Sequence, residues 1–276
     1  MELEQNQNEF RKLGLGVAAV SYDSNEVLHN FAQRRGIHFP LLSDVDSKII
    51  HELGILNETV PADSPFRGIP HPGSFVLDAN GVIVAKYFEE DFRERYTSAD
   101  ILMHQYGVIP ASGKSDVAGR QLRLTATASN SIVATGQRVA LVLDIELNPG
   151  MHVYAPGVEG YIPIEWKMKD GGAAAAHDAV YPASEKLHLK AIDETVPVYR
   201  GHFRLTRDIT MASDAKLKPL VDGSGKFVVE GSLRYQACDD QVCYVPQELP
   251  IRWTFNYADF DRQRVPEELQ RKAPGK

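Results

Sequence analysis

The chain has 276 residues, a length suited to two domains, and its 43% hydrophobic and 24% charged content supplies material for two cores. The net charge of -7 argues against nucleic acid as a partner, because that binding relies on a basic face. No run approaches the roughly 20 apolar residues of a membrane helix, and Met1 to Lys12 is polar, without the apolar stretch of a secretory signal.

The first part of the chain alternates helical and strand patterns. Leu3, Phe10 and Leu13 share a helical face, with Gly14 as the stop. Leu15–Val20 reads as a short strand of the kind buried in a parallel sheet. Ser24 caps a helix carrying Val27, Leu28, Phe31 and Ala32, stopped by Gly36. Phe39–Ser43 is the next strand, followed by a helix with Ile49, Ile50 and Leu53 that Gly54 closes. Ser74–Asp78 and Val82–Tyr87, joined by Ala79-Asn80-Gly81, read as a hairpin. Thr97 and Asp100 start a further helix in the manner of a capping box. These elements give an α/β domain over residues 1–110, and the stretch Ile109–Gly119, rich in Pro, Ser and Gly, holds the linker assigned to residues 111–119.

From Gln121 the hydrophobic period changes to two. Val139, Leu141, Leu143, Ile145 and Leu147 alternate with polar or small residues. The same holds for Ile162, Ile164, Trp166 and Met168, for Phe203 and Leu205, for Val229, Leu233 and Tyr235, and for Leu249, Ile251, Trp253 and Phe255. Short alternating runs separated by turns such as Asn148-Pro149-Gly150 predict an all-β antiparallel sandwich over residues 120–259. Trp166 and Trp253 are assigned to its core. The alanine run Ala173–Ala176 reads as turn-like, and residues 260–276 as a charged, loose tail.

Chemistry concentrates in the two cysteines, Cys238 and Cys243. Four intervening residues let a turn bring the two sulfurs within bonding range. Two cysteines are too few for a disulfide scaffold, and no second Cys or Cys/His pair has zinc-site spacing, so neither a metal nor a cofactor is expected. Asp239 and Asp240 disfavour a thiolate at Cys238, and Tyr235 and Tyr244 are candidates to shield the sulfurs. A disulfide closing so short a loop constrains the unfolded chain by about 2 kcal/mol or less. Spacing alone leaves a structural hairpin bond and a redox-active bond open.

The segment Tyr235-Gln-Ala-Cys-Asp-Asp-Gln-Val-Cys-Tyr-Val-Pro246 resembles the cysteine segment of the N-terminal periplasmic domain of DsbD-type thiol:disulfide interchange proteins. Asn148-Pro-Gly-Met-His-Val-Tyr-Ala-Pro156 is similar to an early segment of the same family. The resemblance implies an immunoglobulin-like sandwich in which Cys238 and Cys243 are a redox pair passing electrons through transient mixed disulfides, with Cys243 the sulfur attacked. It also implies a thioredoxin-like thiol protein as partner, in cis or in trans, and a periplasmic or other extracytoplasmic setting. Asp193 and Glu194 match the loop that caps the disulfide in that family, and Thr195 stands where an aromatic is expected.

Gly14–Asp23, Phe39–Asp44 and Pro72–Gly81 resemble, in order, the later part of a peroxiredoxin or redoxin domain of the AhpC/TSA group. This implies a thioredoxin-like fold, left incomplete because Met1 falls within the helix that follows the group's cysteine-bearing turn. The expectation is an N-terminally truncated domain with a gap in its sheet. Residues 1–110 contain no cysteine, so no peroxidatic nucleophile is available there. Pro72 matches the cis-proline of thioredoxin-like proteins, so a cis His71–Pro72 bond is predicted beside the lost site. An arginine usual in peroxiredoxins is absent at this position, which favours a disulfide reductase. The combined expectation is thiol–disulfide exchange through Cys238/Cys243. The rival is a non-enzymatic binding or structural module with a stapled hairpin.

Overall fold

A computed structural model of the protein describes residues 2–89, 93–110, 113–189, 193–259 and 263–270. The chain is mostly β with some helices, in two compact units, residues 1–102 with 260–276 and residues 103–259.

The first unit begins with α1 (Glu2–Gln5) and α2 (Gln7–Lys12), then β1 (Ala19–Ser21), α3 (Asn25–Arg35), β2 (Leu41–Ser43) and α4 (Lys48–Glu52). It continues with β3 (Gly73–Leu77), β4 (Ile83–Phe88) and β5 (Arg95–Tyr96) before the chain enters α5 (Ser98–Tyr106). The local signals hold where backbone chemistry sets them. The Val27 N–H donates to the Ser24 hydroxyl, and Gly36 ends α3 at φ 59°, a conformation that glycine adopts without strain. Asp78 Oδ1 accepts from the Asn80 and Val82 N–H groups, closing the β3–β4 turn with Gly81 at φ 79°. The Asp100 N–H donates to Thr97 Oγ1 at the start of α5.

The strands pack less fully than the sequence suggests. β1 pairs in parallel with β2, and β3 pairs with β4, and among the described residues these two sheets do not join. The expected buried strand at Leu15–Val20 shortens to Ala19–Ser21, and Val20 is 42% exposed. A strand paired along one edge has no neighbour to cover its other side. The predicted cis bond is also corrected: no cis peptide occurs among the described residues, so His71–Pro72 is trans. Asn57 N–H donates to Ile69 O and His71 N–H to Ile55 O, holding 69–71 extended into β3 with no turn for a cis bond to serve.

The second unit contains β6 (Ser115–Ala118), β7 (Leu122–Ala128), β8 (Ile132–Val133), β9 (Gln137–Leu147), β10 (His152–Tyr154), β11 (Glu165–Met168) and β12 (Ala174–Val180). There follow β13 (Glu185–Leu189), β14 (Glu194–Arg200), β15 (His202–Met211), α6 (Asp214–Leu217), β16 (Lys226–Tyr235), β17 (Ala237–Cys238) and β18 (Gln247–Tyr257). One sheet runs β12-β15-β9-β7-β6, a second β11-β16-β18-β8, and a third β13-β14-β10-β17. All three contribute to one core, in which Leu141, Leu143, Ile145, Leu205, Leu233, Ile251 and Phe255 are at most 1% exposed. Trp166 and Trp253 stack in it at 5.8 Å, as their alternation indicates.

Three readings change. Residues 115–118, expected to be linker, form β6 against β7, because Val117 packs on the core while Thr125 Oγ1 donates to Asp116. Residues 111 and 112 lie outside the described residues. The alanine run enters β12, an edge strand on β15, since small side chains suit a ladder as well as a turn. On β9 the intervening Ala140 and Val142 are buried too, covered by Met103 with Ile109 beside it. Of the tail, residues 260–262 and 271–276 lie outside the described residues, and Glu267–Leu269 forms a 3₁₀ turn.

Candidate functional site

The third sheet has two different faces, and strand alternation sorts them. Val153, Tyr199 and Ala237 point to the main core. Tyr154, Val196, Val198 and Cys238 lie on the opposite face in a separate cluster, with Val158, Tyr161, Leu187 and Leu189 packed against it. His152 pairs directly with Arg200 on one side and Cys238 on the other, which places it on this second face.

Cys238 ends β17, and a tight turn returns the chain to Cys243. Asp239 builds that turn. Its Oδ1 accepts from the Gln241 and Val242 N–H groups, both at 2.8 Å, while its own N–H donates to Val242 O at 3.0 Å. The Tyr244 N–H donates to Ala237 O at 2.9 Å, and Cys238 and Cys243 form an antiparallel bridge. The Cα atoms stand 4.0 Å apart and the sulfurs are bonded. Asp239, which the sequence marks as a charge beside the thiol, is thus the residue that closes the loop. Backbone N–H bonds, that of Val242 foremost, hold its carboxyl below the ordinary value.

The two ends of the disulfide differ in accessibility. Cys238 is 1% exposed, whereas Cys243 is exposed, flanked by Val242 at 53% and Val245 at 76%. Behind the bond lies an aromatic stack. The Tyr154 hydroxyl is 3.7 Å from Cys243 Sγ, and its ring stacks on Tyr161 at 4.3 Å. The Tyr161 hydroxyl donates to Glu194 Oε2 at 2.6 Å, and this hydrogen bond pushes its pKa up to about 12. Burial raises the Tyr154 phenol as well. His152 meets the Tyr154 ring edge-on at 5.5 Å and is 2% exposed. Burial holds its pKa below the ordinary value, against the opposing pull of Asp240.

The residues picked from sequence therefore separate. Cys238 and Cys243 come together, Glu194 joins them through Tyr161 and Tyr154, and Tyr244 donates its hydroxyl to Asp239 at 2.8 Å, which raises its pKa. Asp193 is exposed at φ 52° and faces His188 at 3.6 Å. Tyr235 does not shield the disulfide: it belongs to the main core, one face removed from Cys238, paired with Gln247. His71 and Pro72 are half-buried in the other unit. Sequence reasoning misses Tyr154, Tyr161 and His152, although the spacing of His152 and Tyr154 about Val153 marks a shared face. With both sulfurs bonded and Asp239 engaged by the turn, no metal-ligand set gathers here among the described residues.

Residues 1–86 match the AhpC/TSA family, and residues 121–252 match the family described as thiol:disulfide interchange protein DsbD, N-terminal. Peroxiredoxin Bcp of Escherichia coli (strain K12) is 34% identical over 91 residues, 33% of this chain and 56% of that protein. Chloroplastic peroxiredoxin Q of Sedum lineare is 33% identical over 96 residues, 35% of this chain and 48% of that protein. The chain spans about half the length of these curated relatives. Among solved structures, the N-terminal periplasmic domain of ScsB from Proteus mirabilis aligns with a TM-score of 0.36 at 16% identity, over 51% of each chain. The chain is thus similar to the AhpC/TSA family over residues 1–86 and to the DsbD N-terminal family over residues 121–252.

Proposed function

We propose that the chain carries out thiol–disulfide exchange through Cys238 and Cys243 with a thioredoxin-like thiol partner, in an extracytoplasmic compartment. The observation that carries this reading is the asymmetry of the bond, one sulfur-bearing residue exposed and the other buried. An incoming thiolate reaches Cys243 Sγ, a new S–S bond forms there, and Cys238 leaves as a thiolate. The exposed Val242 and Val245 offer an apolar rim for docking around the reacting sulfur. The DsbD N-terminal match supports the same chemistry. In this reading residues 120–259 are the immunoglobulin-like module and residues 1–110 a thioredoxin-like segment without a cysteine. The attacking thiol then comes from outside the 276 residues, whose two cysteines bond to each other. No helix among the described residues is long and apolar enough to cross a membrane.

The test is a redox titration of the full chain combined with reaction against a reduced thioredoxin. Exchange predicts a midpoint nearer the thioredoxin range, above about -300 mV, and rapid reduction by the protein thiol. A midpoint well below that, with no reduction, supports the stapled structural module instead.

A further inference from the structure

His152 is the ionisable side chain opposite Cys238 in strand register, and the exchange reading leaves it without a task. Directly opposed residues on antiparallel strands share a face, with Cβ atoms about 5 Å apart, and His152 pairs in this way with Cys238. Its side chain is buried, and its Nε2 has no hydrogen-bond partner. A buried imidazole nitrogen without a partner is unfavourable, and a bonded disulfide sulfur is a poor acceptor. The groups around it are accounted for. Arg200, opposite on β14, pairs with Glu185, Asp239 is engaged by its turn and Tyr244, Asp240 contributes charge at longer range, and the Tyr154 ring meets His152 edge-on.

We propose that His152 holds the charge that develops on Cys238 when the disulfide opens. The inference rests on the exchange reading above. A partner thiolate attacks Cys243 Sγ, the partner–Cys243 bond forms, and the Cys238–Cys243 bond breaks. The electron pair of the broken bond leaves on Cys238 Sγ. The Nε2–H of His152 then donates a hydrogen bond to that thiolate, the proton staying on nitrogen. The nitrogen gains a partner only in the opened state, so the interaction favours opening and the reduced form over the bonded one.

The test uses the full chain with Cys243→Ser, which leaves Cys238 as its single thiol, followed by ultraviolet thiolate absorbance against pH. Adding His152→Phe is expected to raise the thiolate pKa by about one unit, a tenfold loss of thiolate at a given pH. His152→Gln, which keeps a side-chain N–H, is expected to recover much of that shift. Equal thiolate titrations in the His and Phe forms overturn the proposal. Should the Phe variant not fold, the His152 ring proton resonances decide. They are expected to report the Cys238 titration as a second inflection, absent when Cys238 is also changed to Ser, and a single unaltered inflection overturns the idea. Failure of the unaltered chain to react with a reduced thioredoxin sinks the exchange reading, whereas the thiolate titration tests His152 independently of any partner.

Discussion

The Tyr154 hydroxyl stands 3.7 Å from Cys243 Sγ, on a ring that is itself 2% exposed and stacked on Tyr161. The accessible sulfur of the bond therefore rests on a rigid aromatic floor that β10 carries. Tyr154→Phe keeps the stack and removes only the hydroxyl contact, so the expected loss of stability is about 1 kcal/mol or less. Tyr154→Ala removes the buried ring and is expected to lose about 3 kcal/mol. Urea unfolding of the two variants checks the difference, and equal losses would place the ring outside the packed floor.

The exposure difference across the disulfide gives a trapping result. Cys238→Ser leaves the exposed Cys243 free to hold a partner's thiol, whereas Cys243→Ser leaves a residue that is 1% exposed. Mixed disulfide with a thioredoxin-like protein is expected to accumulate at least ~10-fold more with the first variant, because reaction requires access to the sulfur. Non-reducing electrophoresis with peptide mass mapping reads the outcome, and the reverse preference would reassign the attacked sulfur.

Tyr161 and Glu194 supply a pH signature. The Tyr161 pKa rises from 10.0 to about 12 through its hydrogen bond to Glu194. A raised folded-state value means the bond stabilises fully below pH 10.0 and is lost as pH climbs through about 12. Phenolate absorbance is expected to show Tyr161 and Tyr257 both titrating late, at about 12, and Glu194→Gln to move Tyr161 alone back toward its ordinary value. An unmoved titration in that variant would detach Glu194 from the stack.

Asp239 acts in the opposite direction. Its carboxyl is held below the ordinary 3.8 by the turn's N–H groups, so its contribution is present above that value and lost as pH falls through the lower folded-state one. Hydrogen exchange is expected to show the Gln241 and Val242 amides opening in acid, and opening at neutral pH in Asp239→Ala. Amides as protected in the variant as in the unaltered chain would remove Asp239 from the turn.

Gly119 tests the core beneath Tyr235. A Cβ at Gly119 would clash with the Tyr235 hydroxyl oxygen and lie 3.2 Å from Leu249 Cδ1. Gly119→Ala is expected to destabilise by about 1–3 kcal/mol, with partial recovery when Tyr235→Phe is added. Thermal unfolding of the double-mutant cycle measures the coupling, and simple additivity would show that the two groups do not meet.

Much of this architecture is legible in local patterns. Alternation along Leu249, Ile251, Trp253 and Phe255 identifies β18, and each of the four is buried. Ser24 and Gly36 bound α3, since capping and positive φ are properties of a few neighbouring atoms. Leu15–Val20 misleads because an apolar run states that a strand prefers cover, not that cover exists, and β1 finds a neighbour along one edge. Tyr235 misleads in a related way: nearness in sequence to Cys238 suggests a shield, but the chain turns its ring to the opposite face of the fold.

Residue order alone specifies the cysteine pair, the loop between its members, the period-two strands and the two family segments, because each depends on short spacings. Folding in three dimensions makes one sulfur-bearing residue accessible and hides the other. It brings Tyr154 and Tyr161 behind the bond and sets His152 across from Cys238. Those arrangements join strands 80 or more positions apart, and their register comes from the burial of a shared core, which no short window of sequence contains.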